Sequence, residues 1–235
     1  MNSLPNELLW FIFMVIDMSL AVLLFKFFKK QGLYLLIAVN IILANIQVVK
    51  VVELFGLSAT LGNILYGSIF FSTDILSDIY GKKEAKKGVL IGFISLLLMT
   101  LYMQLSLYIK PANFEEAQVI QNSLESIFSL IPRIALGSIV AYFISQYTDV
   151  FIFHLVKSKT GEKKLWLRNN VSTMISQFID SIIFVFIAFW GLYTMDVWWE
   201  ILITTYLFKW IVAAVDTPFI YMAKRMIEKE KSKSL

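Results

Sequence analysis

The sequence contains no cysteine, one histidine and four prolines among its 235 residues. Without cysteine the chain forms no disulfide, and a single histidine leaves too few ligands for an ordinary zinc site or a histidine-based catalytic triad. No glycine-rich phosphate-binding loop is present, so we do not expect the chain to hydrolyse ATP itself. These absences predict a protein that is not an enzyme and needs no cofactor.

Hydrophobic residues make up 58% of the chain, which leaves too little polar surface for a soluble domain of this length. A helix needs about 20 apolar residues to cross the hydrocarbon core of a bilayer. Seven stretches are long enough: Leu8–Phe28, Leu33–Val52, Leu57–Tyr80, Val89–Ile109, Leu124–Val156, Val171–Tyr193 and Val197–Met222. We therefore predict an all-α, polytopic transmembrane bundle of about seven spans. The count falls to six if the second or third span, joined by the short connection Glu53–Leu57, is re-entrant.

Basic residues cluster after the first, third, fifth and seventh stretches, whereas the other connections are acidic or poor in lysine. The positive-inside rule then places the N-terminus outside and the C-terminus in the cytoplasm. We expect one transmembrane domain over residues 1–225, a cytoplasmic tail over 226–235, and a multi-pass location in the inner (plasma) membrane. The basic excess predicts contact with membrane lipids rather than nucleic acid.

Charged residues lie about halfway along three of the stretches: Asp17 in the first, Asp180 in the sixth and Lys209 in the seventh. Charges in hydrocarbon are costly unless they are paired or hydrated, and they mark functional sites by default. Asp180 and Lys209 are predicted to meet at similar depth. The alternative interpretation is a buried ion pair that only specifies how the helices pack.

The sixth stretch carries a polar stripe that includes Thr173, Ser176 and Asp180, flanked by Ser172 and Gln177. These positions share one side of a helix and lead from the cytoplasmic end to the midplane. Hydroxyl residues such as Ser172 and Thr173 are common helix–helix contacts in membranes. The continuation to Gln177 and Asp180 favours a solvated cavity.

Further acidic residues are candidates for coupling or gating. Asp74 and Asp78 lie four residues apart on one helix face, where like charges require a cation, a basic partner or a proton. Asp216 precedes Pro218, which kinks a helix and exposes carbonyl groups. The coupling and gating candidates are Asp74, Asp78, Asp17 and Asp216. Proton coupling and passive facilitation fit the sequence equally well.

Several segments together resemble one known family. They are Ala44-Asn45 through Lys50 with Glu53-Leu54-Phe55-Gly56, Thr73 through Gly81, Pro132-Arg133-Ile134 with Ala141-Tyr142, Leu165 through Arg168 with Ser172-Thr173, Gln177 and Asp180-Ser181, and Lys209 with Thr217-Pro218 and Tyr221. In this combination the chain resembles the queuosine precursor transporter family, also called vitamin uptake transporter-like. Ser145-Gln146 stands where a Gly-Glu pair is frequent in that family.

The resemblance implies uptake of a small 7-deazaguanine, such as 7-cyano-7-deazaguanine, across a bacterial inner membrane for queuosine salvage. A carboxylate such as Asp180 accepts hydrogen bonds from the N–H groups of a base edge, and aromatic rings stack on its flat face. The predicted substrate-binding residues are Asp180, Gln177, Lys209, Arg133, Asn170, Ser176, Phe184 and Trp210. Assembly into a homo-oligomer is left open.

Two other functions remain open on the sequence alone. The size and helix count also suit the substrate-binding subunit of an energy-coupling-factor vitamin transporter, which borrows its ATPase from partner chains. An intramembrane enzyme acting on a lipid or isoprenoid is the other alternative. It would require a metal at Asp74 and Asp78.

Overall fold

A computed structural model describes residues 4–160 and 165–233, apart from the side chains of 150, 153, 157, 160, 165–170, 213, 214, 216, 217, 220, 224 and 227–233. The described chain is almost entirely helical, which confirms the predicted class. Its helices are α1 (Asn6–Gln47), α2 (Asn63–Ile75), α3 (Lys82–Tyr108), α4 (Glu115–Phe128), α5 (Ile131–Thr160), α6 (Leu165–Phe189) and α7 (Met195–Lys233). Strands β1 (Val51–Leu54) and β2 (Leu57–Thr60) form one antiparallel hairpin.

Helix α1 is long enough to cross a bilayer twice and is broken at Lys29 (φ 52°, ψ −131°). A straight helix of its 42 residues would measure about 63 Å, twice the hydrocarbon thickness of about 30 Å. Asn40 donates a hydrogen bond to Asp17, 23 residues earlier, which no straight helix allows. The first arm (residues 6–28) and the second arm (residues 30–47) therefore fold against each other.

The connection predicted around Glu53–Leu57 is the β1–β2 hairpin. The predicted end of the second span at Val52 and start of the third at Leu57 are therefore wrong, because both residues lie in strands. A short apolar run does not distinguish strand from helix by hydropathy alone. At the hairpin tip Phe55 (φ 55°) and Gly56 (φ 76°) both have positive φ, as a tight two-residue turn requires.

The start of the fifth span also differs from the prediction. The fifth span was expected to begin at Leu124, but α4 ends at Phe128 and a separate helix, α5, begins at Ile131. Pro132 lies in the first turn of α5, where its missing N–H costs no helical hydrogen bond. Helix α2 continues into a π-helical turn at Leu76–Tyr80, and Gly81 (φ 91°) separates this turn from α3.

Among the described residues, four helical stretches are long and apolar enough to cross a membrane: Asn6–Gln47, Lys82–Tyr108, Glu115–Val156 and Val171–Phe189. Many of their large apolar side chains are exposed, as lipid-facing side chains are. The count of seven spans, the sides of the two termini and the division at residue 225 stay predictions. Helix α7 itself continues past that position to Lys233.

The buried side chains form two apolar clusters. One joins both arms of α1 with α2 and α7, and includes Phe25, Phe71 and Phe208. The other joins α5, α6 and the start of α7, and includes Val185 and Trp198. Side chains from both clusters line one cavity, so the cavity lies where the two halves of the bundle meet.

Candidate functional site

The two charged side chains in the middle of α6 and α7 meet. The Lys209 ammonium contacts Oδ2 of Asp180, and Ser145 on α5 donates a hydrogen bond to Oδ1 at 3.2 Å. The Lys209 side chain is 14% exposed and that of Asp180 is 22% exposed, so the pair is largely but not completely buried. Each carboxylate oxygen has one partner and keeps acceptor capacity for another donor.

This ion pair forms part of the wall of a cavity of about 350 Å³, within the usual size range of small-molecule sites. The wall is built from the second arm of α1 and from α2, α3, α5, α6 and α7. Its polar residues are Asn63, Tyr66, Thr73, Asp74, Ser138, Tyr142, Ser145, Gln146, Gln177, Asp180, Thr205 and Lys209. The cavity therefore offers carboxylate, ammonium, amide and hydroxyl groups within an apolar bundle.

One face of α2 supplies a continuous part of this wall. Asn63, Tyr66, Phe70, Thr73 and Asp74 all line the cavity, and their spacing of about three or four residues keeps them on one side of the helix. From Asp74 this face runs back by about three helical turns to Asn63, next to the hairpin. α2 therefore contributes an aromatic surface with polar groups at both ends.

A hydrogen-bonded group beside the ion pair joins α1, α2 and α5. Ser138 on α5 donates to Oδ1 of Asn45 on α1 at 3.1 Å, and the Tyr66 hydroxyl lies next to both side chains. Asp180 is close enough to Tyr66 to interact with it electrostatically. Polar contacts of this kind fix the relative positions of the helices that form the cavity.

Aromatic rings supply much of the remaining wall. Tyr66, Phe70, Phe93, Tyr142 and Phe184 come from four different helices. The Phe93 and Tyr142 rings meet edge to face, with centroids 4.9 Å apart and planes at 77°. Rings facing one another across a cavity suit a flat, partly polar guest.

The hairpin connects Val48 to Asn63, and both of these residues line the cavity. The hairpin therefore lies at the end of the cavity that these two residues form. Glu7 on α1 accepts a hydrogen bond from the Phe55 N–H at 2.9 Å. On α7, Glu200 accepts from the Ser58 N–H at 2.8 Å. The hairpin is thus tied to the helices on two sides.

The structure brings five of the sequence-predicted residues to the cavity: Asp180, Lys209, Gln177, Phe184 and Asp74. Of the polar stripe that was expected to be solvated, Gln177 and Asp180 line the cavity, whereas Ser172, Thr173 and Ser176 do not. Ser176, one turn before Asp180, donates instead to Asp149 of α5 at 3.2 Å. It joins two helices instead of lining the cavity.

Other predicted residues lie elsewhere. Arg133 donates to the carbonyl groups of Ile187 and Trp190, so it caps the C-terminal end of α6. Trp210 is 37% exposed and its ring contacts Tyr206 edge to face. Asp78 lies in the π-helical turn and Asp17 lies inside the first arm of α1, both outside the cavity wall. The side chains of Asn170 and Asp216 lie outside the described residues.

Sequence reasoning missed most of the α2 and α5 residues in the wall, above all Tyr66, Ser145 and Gln146. Tyr66 lies two helical turns before Asp74, so extending the face of Asp74 backward would have found it. The Ser145-Gln146 pair was noticed only as a departure from a family pattern. In the described parts of the chain, no three carboxylate or imidazole side chains come together as a metal site.

Comparisons with known proteins agree with one another. Residues 60–223 match a family model described as "Putative vitamin uptake transporter". The chain is 44% identical to the "Probable queuosine precursor transporter" of Bacillus subtilis (strain 168), over 97% of this chain and 99% of that protein. It is 26% identical to the "Queuosine precursor transporter" of Escherichia coli (strain K12), over 82% of this chain and 87% of that protein. No solved structure matches.

Proposed function

Since this chain belongs to the queuosine precursor transporter family, also described as vitamin uptake transporters, we propose that it imports a 7-deazaguanine such as 7-cyano-7-deazaguanine. Its named relatives are transporters, consistent with a chain that is not an enzyme. The observation that carries the proposal is the Asp180–Lys209 pair in the wall of a cavity of suitable size.

The recognition chemistry follows from the groups in the wall. A 7-deazaguanine presents adjacent N–H donors beside a carbonyl oxygen on its pairing edge. The remaining lone pairs of the Asp180 carboxylate are suited to accept from those donors, in the way that acidic side chains accept from base amino groups. Lys209 orients the carboxylate, and the amides of Gln146 and Gln177 are available for the carbonyl or nitrile.

The flat face of the base would stack on the cavity's aromatic rings. Tyr66 and Phe70 on α2 and Phe184 on α6 line the same space as the ion pair. Stacking of a base on an aromatic side chain contributes about 1–3 kcal/mol, comparable with a good hydrogen bond to a charged group. The combination favours a planar heterocycle over a flexible polar solute.

The membrane arrangement that suits this function has seven spans in the inner membrane. The two arms of α1 and helices α2, α3, α5, α6 and α7 would cross, and α4, which has no buried residue, would lie at the outer surface. The alternation of basic and acidic connections supports an outside N-terminus and a cytoplasmic C-terminus. The hairpin would then lie at the outer end of the cavity.

The proposal is tested by reconstituting the purified protein into liposomes and measuring uptake of radiolabelled 7-cyano-7-deazaguanine. Asp180→Asn should reduce uptake at least about tenfold, because losing a hydrogen bond to a charged group costs about 1.5–3 kcal/mol. Asp149→Asn is the matched control, since it makes the same chemical change on α5 outside the cavity wall. Its uptake should stay near the wild-type level.

Undiminished uptake by Asp180→Asn would contradict the assignment of the site. Uptake by the isolated protein would also set aside the energy-coupling-factor subunit, which binds substrate but needs partner chains to move it. Recovery of the unmodified base from inside the vesicles would set aside an intramembrane enzyme.

A further inference from the structure

A second buried carboxylate lies away from the cavity. Asp17 is in the middle of the first arm of α1 and is only 5% exposed. Its Oδ1 accepts a hydrogen bond from Nδ2 of Asn40 at 2.8 Å. Its Oδ2 is buried and has no hydrogen-bond partner among the described residues. One half of this carboxyl group is therefore uncompensated.

Among the described residues, the polar side chains beside Asp17 are neutral. The second arm of α1 contributes Asn40, which also donates to Ser68 of α2 at 2.6 Å. Next to Ser68, a Cβ placed on Gly67 would lie 2.4 Å from Cγ1 of Val212 on α7 and 2.6 Å from Cε of Met18 on α1. The Ser68 hydroxyl also lies beside the Asp17 carboxyl group, so both described polar neighbours are uncharged.

An ionised carboxylate in such a place is expensive. Charges at membrane depth cost several kcal/mol unless a counter-charge or water is present, and among the described residues no counter-charge lies beside Asp17. A single proton removes the charge and needs no further ligand. We propose that Asp17 is a proton-binding site and that its proton is the coupling ion for substrate import.

The position of Asp17 connects such a proton to the cavity. Both polar neighbours of Asp17 are close in sequence to residues that line the cavity. Asn40 lies near Ile37 and Ile41 on the second arm of α1. Ser68 lies near Tyr66 and Ile69 on α2. Loss of the proton to water leaves a buried anion, which the packed arms cannot hold without moving apart or admitting water. Protonation on one side of the membrane and deprotonation on the other would therefore shift the conformation of the helices that form the cavity.

The first experiment detects the proton directly and uses no substrate. Infrared spectra of the purified protein near neutral pH, in choline chloride, should contain the carbonyl band of a protonated carboxylic acid. The band should be absent from Asp17→Asn and unchanged in Asp149→Asn. Absence of the band from the wild type, or its loss when sodium replaces choline, would overturn the proton site.

The second experiment measures coupling and rests on the proposed function. Vesicles with the membrane potential clamped at zero by potassium and valinomycin receive a gradient of about one pH unit, acid outside. One proton per neutral 7-cyano-7-deazaguanine predicts about tenfold steady-state accumulation, since tenfold corresponds to about 1.4 kcal/mol. Asp17→Asn should exchange labelled for unlabelled substrate across the membrane yet accumulate none.

The outcomes separate the two proposals. Exchange without accumulation in the wild type, or equal accumulation in Asp17→Asn, would overturn coupling through Asp17 and leave the transport function intact. A wild-type protein that exchanges no 7-deazaguanine would overturn the proposed function and this coupling with it, whereas the infrared band would still report the proton.

Discussion

Asp180 and Asp17 are both aspartates about halfway along apolar helices, and they differ in almost everything around them. Asp180 has an ammonium group, a hydroxyl donor and a cavity beside it. Asp17 has one amide donor and, among the described residues, an oxygen without a hydrogen-bond partner. Depth in the membrane thus does not decide what a carboxylate does. The surroundings suit Asp180 to accept hydrogen bonds from a ligand, and they suit Asp17 to hold the proton proposed above.

The largest effect that the comparison predicts is for Lys209→Met. The substitution leaves Asp180 as an uncompensated charge, and breaking a buried pair from one side costs about 3–5 kcal/mol. We expect a marked fall in the melting temperature of the detergent-purified protein and uptake at background. The double variant Asp180→Asn with Lys209→Met should recover most of the melting temperature but none of the uptake. A stable, active Lys209→Met would show that the pair is dispensable.

The next prediction compares the packing of the two regions through their glycines. A Cβ at Gly67, beside the Asp17 group, would overlap Val212 and Met18, so Gly67→Ala should destabilise the protein by about 1–3 kcal/mol. A Cβ at Gly92, in the cavity wall, would meet only Cγ2 of Ile37 at 3.2 Å. Gly92→Ala should therefore weaken substrate binding while it changes the melting temperature less than Gly67→Ala does.

The melting temperatures of both variants and the substrate concentration dependence of their uptake check this difference. Equal losses of stability at the two positions would contradict the contrast between a packed region and an open one.

The sequence was sufficient to predict the partnership of Asp180 with Lys209, because depth in an apolar stretch can be counted residue by residue. It was also sufficient for the helical class, since long apolar runs admit few other structures. It was not sufficient for Asn40 as the partner of Asp17, which depends on how the two arms of α1 fold back at Lys29. Nor did it place Arg133, because hydropathy does not show that an arginine caps another helix.

The hairpin and the contact of Ser176 are two further features that the sequence pattern did not predict. The residues around Phe55 are as apolar as a span end, yet the structure forms two paired strands there, with positive φ angles at the tip. Ser176 lies on the same helix as Asp180 but contacts Asp149. A polar stripe predicts that side chains need partners, whereas the packing of α5 decides which of them reach the cavity.

The smallest expected effect on stability belongs to Asp17→Asn. If Asp17 is neutral in the folded protein, an amide of the same shape keeps the oxygen that accepts from Asn40, and the free energy of unfolding should change by less than about 1 kcal/mol. An ionised Asp17 would instead make removal of its charge clearly stabilising, because an unpaired buried anion disappears. Melting temperatures of the wild type and of Asp17→Asn, measured side by side near neutral pH, separate these cases. Asp180→Asn serves as the comparison, since it strands Lys209 and should lower the melting temperature by much more than Asp17→Asn does.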